Sequence, residues 1–340
     1  MPNQQQDNYP GIFLSSTDTA LPDWFSNDYH KYTNFQTIDG GGHGILVSCD
    51  DLNLGRKVAI KTLKPEHEHS SLDRKRLLRE ARVTAQLAHP NIIPVYEIGK
   101  NPQGQIYFSM KKVEGENLFK VLVRIAQGDS QTGEKYTLDR LLSIVTQIAH
   151  ALTYAHTHGV IHRDVKPENI FLGLFGEVYL MDWGVAKVWG MPADELSEPQ
   201  AIDIHADLTI TAAGQRPGTP LYMSPEQIRG TPPIDERTDI FSLGVVLYEV
   251  LAQQEPFRGA TVQETFTNIL HKTPSPPSKI ATHHSVPPEL DAICRRALKK
   301  KPSHRFQSIR QMLEQIEQFR AQSINHLHGL PAQPHRPPEL

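Results

Sequence analysis

The chain has 340 residues, of which 38% are hydrophobic and 21% charged, and its formal net charge is −3. This length is enough for two lobes with separate hydrophobic cores, and the composition is ordinary for a soluble protein. The slight acidic excess argues against a general nucleic-acid binder, because such proteins usually carry a basic excess.

The sequence lacks the usual signals of export, disulfide stabilisation and membrane insertion. Residues 1–7 are polar and contain neither the basic nor the apolar region of a signal peptide. Cys49 and Cys294 are too few for a disulfide framework and form no CxxC pair, which disfavours a zinc site. The longest apolar run, residues 243–252, is about half the roughly 20 residues that a spanning helix requires. We therefore expect a cytoplasmic chain without membrane insertion, in which this run forms a buried helix.

The first third of the chain is predicted to form mainly strands. Residues 1–31 are rich in Gln, Asn, Asp and Pro, which predicts an irregular leader. The hydrophobic patterns predict strands over 33–61, a helix over 70–88, and two strands over 92–115 that are split by a turn at 101–104. Ser70 or Ser71 is suited to cap the predicted helix.

After residue 118 the pattern becomes mainly helical. Apolar residues at helical spacing predict helices over 138–158, 289–300 and 306–320. Short strands are expected on both sides of residues 162–169. Residues 326–340 contain several prolines and histidines, which predicts a linker or tail.

Residues 162–169 bring together three groups that phosphoryl transfer needs. Asp164 is suited to orient an attacking hydroxyl and accept its proton, Lys166 to offset charge on the moving phosphoryl group, and Asn169 to hold a magnesium ion. Asp182 follows a second apolar run, and a hard cation such as Mg²⁺ prefers oxygen ligands of this kind. Together these residues predict a site for metal-assisted phosphoryl transfer.

These residues resemble the protein kinase signature HRDxxxxN followed by DFG, with Gly184 retained and Trp183 in place of the usual Phe. Further signatures follow in the family's order: Val58-Ala59-Ile60-Lys61, the helical Glu80, Ser224-Pro225-Glu226, Asp239 and Arg305. The similarity covers about residues 32–320. In detail the chain looks most like bacterial serine/threonine kinases of the eukaryotic type.

The resemblance implies an α+β, two-lobed protein kinase fold. The small N-lobe is expected to be rich in strands with one main helix, and the larger C-lobe to be mostly helical. The implied boundaries are a leader at 1–31, a kinase domain at 32–320 with lobes at 32–113 and 114–320, and a tail at 321–340.

The resemblance also assigns roles to residues outside the catalytic run. Lys61 is expected to hold the α- and β-phosphates of ATP and to pair with Glu80. Glu66 and Glu68 are competing partners in a predicted loop.

Three structural roles follow from the same resemblance. Asp239 is expected to anchor residues 162–169, the catalytic loop, and Arg305 is expected to pair with Glu226. Arg163 is expected to stand as a cation beside the active site.

A glycine-rich stretch is expected to cradle the phosphates, because glycine lets backbone N–H groups approach them closely. Gly41 and Gly44 match the family pattern GxGxxGxV, whereas Asp39 stands where the first glycine belongs. We expect Gly40 to take over that role and Asp39 to point away from the phosphates. The other ATP-binding residues implied are Gly42, Leu46, Ala59 beside the adenine, Met110 as gatekeeper, Val113 in the hinge, and Phe171.

The activation segment, residues 182–226, is longer than is usual for the family. A phosphothreonine at Thr209 or Thr211 is expected to neutralise Arg163 and order this segment, after autophosphorylation. Thr219 is expected to form a hydrogen bond near Asp164 and Lys166. With Lys166, the motif at residues 218–220 favours serine and threonine substrates.

Three functions remain open at this stage. The first is an active signalling kinase that uses ATP and Mg²⁺, with Mn²⁺ as a substitute, acts on protein Ser/Thr hydroxyls, and forms a homodimer during autophosphorylation. The second is a pseudokinase scaffold that binds nucleotide, favoured only by Asp39 and Trp183. The third is a small-molecule phosphotransferase resembling aminoglycoside kinases, which Glu226, Asp239 and Arg305 disfavour.

Overall fold

The computed structural model describes residues 25–39, 44–189, 220–230, 234–281 and 285–328. The chain divides into two compact units. Of the described residues, the first unit contains those up to His69 together with Tyr96–Lys112, and the second contains Ser70–Val95 and those from Val113 onwards.

The first unit is built on a five-stranded sheet. Its strands are β1 (Tyr32–Asp39), β2 (Gly44–Asp51), β3 (Arg56–Leu63), β4 (Val95–Lys100) and β5 (Ile106–Lys111). Their order across the sheet is β1-β2-β3-β5-β4, and the β1–β2, β2–β3 and β3–β5 pairs are antiparallel. The strands predicted from the hydrophobic pattern are confirmed.

Strand register separates two faces of this sheet. Val58 and Ile60 of β3 pack into a small core with Tyr32, Cys49 and Tyr107. Because successive side chains of a strand point to opposite faces, Ala59 and Lys61 lie on the other face.

Helix α1 (Ser71–Gln86) belongs to the second unit. Ser70 is its N-cap, and the Ser70 hydroxyl accepts a hydrogen bond from the Asp73 N–H at 3.2 Å. This satisfies one of the backbone donors that a helix start leaves without a partner. The predicted helix is confirmed, with Ser70 rather than Ser71 as its cap. The predicted lobe boundaries, 32–113 and 114–320, differ from this grouping because they place the helix in the N-lobe.

The rest of the second unit is mainly helical. Its helices are α2 (Leu118–Ala126), α3 (Ser130–Lys135), α4 (Leu138–Thr157), α5 (Pro225–Arg229), α6 (Arg237–Ala252), α7 (Val262–His271), α8 (Pro277–Ile280), α9 (Pro288–Ala297) and α10 (Ile309–His328). Strands β6 (Gly115–Asn117), β8 (Ile170–Gly173) and β9 (Val178–Leu180) form one small sheet, and β7 (Val160–Ile161) pairs with β10 (Lys187–Val188).

Helix α6 is the centre of the second unit. Every residue of α6 from Thr238 to Ala252 is buried, so the apolar run at 243–252 is an internal helix as predicted. In the part of the chain that the structure describes, no helix has the length and apolarity needed to cross a membrane.

Helix α10 continues beyond its predicted end at residue 320 and is described as far as His328. The apolar contacts that signalled this helix involve Met312, Leu313 and Ile316, with Phe319 partly buried. The prediction ended too early because the polar residues Arg320, Gln322 and Ser323 interrupt the apolar pattern at this point.

Candidate active site

The loop between β7 and β8 is held by one buried carboxylate. Asp239, fully buried near the start of α6, accepts hydrogen bonds from the backbone N–H groups of His162 at 2.9 Å and Arg163 at 2.8 Å. His156 Nε2, in the last turn of α4, lies 2.9 Å from Asp239 Oδ2. Arg163 has a φ of +69°, a left-handed conformation that non-glycine residues seldom adopt unless the surroundings fix it. Asp239 therefore fixes the backbone just before Asp164.

Asp239 makes the stability of the chain depend on pH in a defined direction. Burial alone would raise the pKa of Asp239, but hydrogen bonds from His156 and the Arg163 N–H lower it overall. Because the pKa of Asp239 is lower in the folded state, its charge stabilises the fold at pH values above its ordinary pKa of 3.8. This stabilisation is lost as the pH falls through the folded-state pKa.

We therefore expect Asp239→Asn to cost about 2–3 kcal/mol of unfolding free energy at pH 7, because hydrogen bonds to a charged group are lost. The difference from the unchanged chain is expected to shrink below pH 4. Urea unfolding followed from pH 7 to pH 3 measures it. A difference that stays constant over this range would contradict the assignment.

The side chains of the catalytic loop converge on Asp164. Lys166 Nζ donates to Asp164 Oδ2 at 2.6 Å. Asn169 Nδ2 donates both to the backbone oxygen of Asp164 at 2.8 Å and to its Oδ2 at 3.0 Å. These two bonds fix the Asn169 amide so that its Oδ1 faces away from Asp164, in the orientation of a ligand for a cation.

The charges of this cluster are strongly coupled. Burial raises the pKa of the Asp164 carboxyl, the nearby Asp182 carboxylate raises it further, and Lys166 offsets only part of the increase. Burial alone would lower the pKa of Lys166, but the Asp164 carboxylate outweighs it and raises that pKa. The Asp164 and Lys166 charges therefore depend on each other, and Asp182 acts on both.

The segment after β9 brings Asp182 to the same site. Asp182 has a φ of +64°, and its Oδ1 accepts a hydrogen bond from the Gly184 N–H at 3.4 Å. A Cβ atom at Gly184 would lie 3.2 Å from that same oxygen, which is tighter than ordinary contact. Glycine therefore allows the chain to turn closely around the carboxylate.

Trp183 packs inward although it is larger than the usual Phe. Its side chain is fully buried, and its ring meets the His162 ring edge-on with centroids 4.5 Å apart. Its Nε1–H donates to the backbone oxygen of Leu180 at 3.3 Å, so the polar atom of the indole is satisfied. Tryptophan in place of the usual Phe is therefore accommodated, and Asp182 still lies beside the catalytic loop.

His162 ties the two segments together through both ring nitrogens. The Asp164 N–H donates to His162 Nδ1 at 3.2 Å, so the ring proton lies on Nε2. Nε2 is 3.0 Å from the backbone oxygen of Met181 and donates to it.

The donor set fits a hard divalent cation. Asp164 and Asp182 interact electrostatically as like charges, and each offers carboxylate oxygens. Asn169 adds an amide oxygen whose direction is fixed by its own hydrogen bonds. Carboxylate and amide oxygens are the ligands that Mg²⁺ and similar ions prefer.

Four of the predicted ATP-binding residues meet on one face of the first unit's sheet. Leu46 lies opposite Lys61 across β2 and β3, and Ala59 lies opposite Met110 across β3 and β5. Directly opposite residues, and residues two apart in a strand, share a face. Gly44, at the start of β2, also lies in this sheet.

Glu80 is buried in α1, whereas the competing acids are engaged or exposed. Glu66 is exposed, and Glu68 Oε2 accepts a hydrogen bond from Gln105 at 2.9 Å. Lys61 and Glu80 belong to different compact units, so their pairing stays a prediction.

Two further ATP-binding candidates belong to the second unit. Val113 precedes β6, and Phe171 of β8 lies opposite Asn117 and Tyr179 in the small sheet. Both side chains are partly buried. The candidates Gly40, Gly41, Gly42, Thr209, Thr211 and Thr219 lie outside the described residues.

Arg305 and Glu226 form a buried ion pair. The two Glu226 oxygens each accept a hydrogen bond from the Arg305 guanidinium at 2.7 Å. Arg305 also donates to the backbone oxygens of Arg237, Lys299 and Lys300, so all of its nitrogens are used. This pair joins α5 to the segment before α10.

The sequence reasoning missed two residues that help to hold the catalytic loop. His156 acts on it indirectly through Asp239, and a mostly buried histidine in the last turn of α4 is only a weak sequence signal. Gln227 Nε2 donates to the Arg163 backbone oxygen at 2.8 Å across 64 positions of sequence, and no local pattern signals such a contact.

The sheet unit, the helical unit and the Asp164–Lys166–Asn169–Asp182 cluster together define a phosphotransferase of the protein kinase class. Residues 32–316 match the protein kinase domain family, and the chain belongs to this family. The two-lobed α+β class and the kinase resemblance predicted from the sequence are thereby confirmed.

The chain is similar to curated bacterial kinases. It is 36% identical over 310 residues to the serine/threonine-protein kinase PknD of Chlamydia felis, covering 88% of this chain and 31% of that protein. It is 37% identical over 308 residues to PknD of Chlamydia caviae, covering 88% and 32%. For PknD of Protochlamydia amoebophila the values are 36% over 320 residues, 91% and 31%. The chain spans about a third of the length of these relatives. Their names do not support the pseudokinase alternative.

Proposed function

We propose that this kinase domain is catalytically active and transfers the γ-phosphoryl group of ATP to Ser and Thr hydroxyls of proteins. The main support is the Asp164 cluster, in which Lys166 and Asn169 both donate hydrogen bonds to the Asp164 carboxylate. The serine/threonine kinases to which the chain is similar support the same specificity. Lys166 and the motif at residues 218–220, which contains Thr219, favour the same substrates.

The reaction assigns one task to each residue of the cluster. Asp164 orients the substrate hydroxyl and accepts its proton while the hydroxyl oxygen bonds to the γ-phosphorus and the bond to the β-phosphate oxygen breaks. Lys166 neutralises charge on the phosphoryl group in transit. Because the transition state is loose, positioning matters more than the strength of the base.

Asn169 and Asp182 are the proposed ligands of the divalent ion, with Mg²⁺ as the working ion and Mn²⁺ as a substitute. When bound, the ion neutralises charge on the β- and γ-phosphates. Lys61, paired with Glu80, is proposed to hold the α- and β-phosphates. The proposed pocket for the nucleotide is formed by Gly40, Gly41, Gly42, Gly44, Leu46, Ala59, Met110, Val113 and Phe171.

We also propose domain boundaries, a route of activation and a location. The proposed boundaries remain 32–320 for the kinase domain, with lobes at 32–113 and 114–320. Autophosphorylation at Thr209 or Thr211 is proposed to activate the domain through Arg163 in a transient homodimer. A cytoplasmic location, where ATP is available, is supported by two buried free thiols, Cys49 and Cys294.

The test is incubation of the purified protein with γ-labelled ATP, Mg²⁺ and casein as a generic substrate, followed by mapping of the label by mass spectrometry. We expect label on Ser and Thr of both proteins, at a self-labelling rate that rises with protein concentration. Bound ATP with no label on either protein would overturn the proposal in favour of a nucleotide-binding scaffold. Unmodified Thr209 and Thr211 in active protein would remove them as phosphosites.

A further inference from the structure

The side chain of Gln227 uses both ends of its amide. At one end, Gln227 Oε1 accepts a hydrogen bond from the Ser224 N–H at 2.9 Å, while the Ser224 hydroxyl accepts one from the Gln227 N–H at 3.4 Å. These reciprocal bonds are a capping box at the start of α5. This end of the amide therefore has a structural task in its own helix.

The other end reaches the catalytic loop. Gln227 Nε2 donates to the backbone oxygen of Arg163 at 2.8 Å. That oxygen belongs to the peptide group whose N–H is carried by Asp164, and the same N–H donates to His162 Nδ1 at 3.2 Å. The peptide between Arg163 and Asp164 is thus held at both of its polar atoms, by side chains from two different segments.

This peptide follows a residue in an unusual conformation. Arg163 is left-handed at φ +69°, and such a backbone persists only where neighbouring groups hold it. Asp239 holds the Arg163 N–H and Gln227 holds the Arg163 carbonyl. Rotation of the next peptide plane would swing the Asp164 side chain away from Lys166 and Asn169.

We propose that Gln227 is a positioning residue that acts on Asp164 through the Arg163–Asp164 peptide. It lies in α5, at the end of the activation segment, so it links the position of this helix to the orientation of the base. The inference rests on the proposed kinase function for its kinetic test, whereas its structural test is independent of activity.

Gln227→Glu separates the two tasks of this side chain. Glutamate serves the capping box as well as glutamine does, but it has no N–H to donate and sets a carboxylate oxygen against the Arg163 carbonyl. We expect kcat to fall about tenfold, with KM for ATP within about twofold, because a small displacement of a catalytic group slows the reaction.

Ser224→Ala is the matched control. It removes the hydroxyl of the cap but leaves both ends of the Gln227 amide in place. We expect a lower melting temperature with kcat close to that of the unchanged chain. A loss of kcat in Ser224→Ala as large as in Gln227→Glu would reduce Gln227 to a helix-stabilising role and overturn the inference.

Hydrogen exchange of the Asp164 amide supplies the second readout. We expect it to be about tenfold faster in Gln227→Glu and unchanged in Ser224→Ala, because only the first variant releases the peptide. Equal kcat and equal exchange in Gln227→Glu and the unchanged chain would overturn the inference. If the unchanged chain itself transfers no phosphate, the proposed function fails, and the exchange rates alone decide the role of Gln227.

Discussion

Replacing Asp164 by Asn lowers the rate of phosphoryl transfer by about 10²–10⁴-fold, the usual range for loss of a general base. Asparagine has nearly the same shape and keeps an oxygen for the Asn169 amide, but it cannot accept the proton of the substrate hydroxyl. Burial and the Asp182 carboxylate raise the pKa of Asp164, which means that the folded protein disfavours its charge. We therefore expect the variant to melt at the same temperature or slightly higher.

The matched control is Asp139→Asn, at the start of α4. Asp139 is 68% exposed and contacts Arg320, and neither residue has a proposed catalytic task. This variant is expected to keep full activity, because surface ion pairs contribute little. Single-turnover rates with γ-labelled ATP compare the two variants. An Asp164→Asn variant with more than a tenth of the original rate would contradict its role as the base.

Replacing Arg305 by Met is expected to cost about 3–5 kcal/mol of unfolding free energy, because it leaves the buried Glu226 carboxylate without its cation. The guanidinium has no exposed surface and satisfies three backbone carbonyls as well as Glu226. Total stabilities of about 5–15 kcal/mol are typical, so this single change removes a large share. Urea unfolding monitored by circular dichroism measures the loss.

A double-mutant cycle distinguishes the ion pair from general damage to the core. In Glu226→Met combined with Arg305→Met neither charge remains, and we expect the pair of changes to cost less than the sum of the single changes. Arg310→Met, at an exposed position of α10, is the control and is expected to cost less than about 0.5 kcal/mol. Strict additivity of the two core changes would contradict the assigned coupling.

Local sequence was sufficient for the parts of the site that lie in one loop. Asp164, Lys166 and Asn169 are close in sequence, and the chemistry requires them together, so their spacing predicted the cluster that the structure contains. The two-lobed class followed from the resemblance to protein kinases, and the order of strand and helix patterns along the chain agrees with it. The long apolar run in α6 could be assigned to a core because it is too short to span a membrane.

Contacts between distant segments were less predictable. The bond from Gln227 to Arg163 depends on how two loops pack, and glutamine in a first helical turn has an ordinary capping role that hides it. The grouping of α1 with the second unit likewise depends on tertiary packing rather than on its helical pattern. The resemblance implied that Arg305 pairs with Glu226, but not that the guanidinium also ties down three carbonyls.

The burial of Trp183 gives the chain an optical reporter inside its own catalytic centre. An indole shielded from water emits at shorter wavelength than one at the surface, and Trp189 is 48% exposed while Trp183 is fully shielded. A rearrangement of the segment that carries Trp183 out of its pocket would separate its ring from His162 and break its bond to Leu180. The emission spectrum of a Trp189→Phe, Trp24→Phe variant therefore follows the segment directly, without an attached dye.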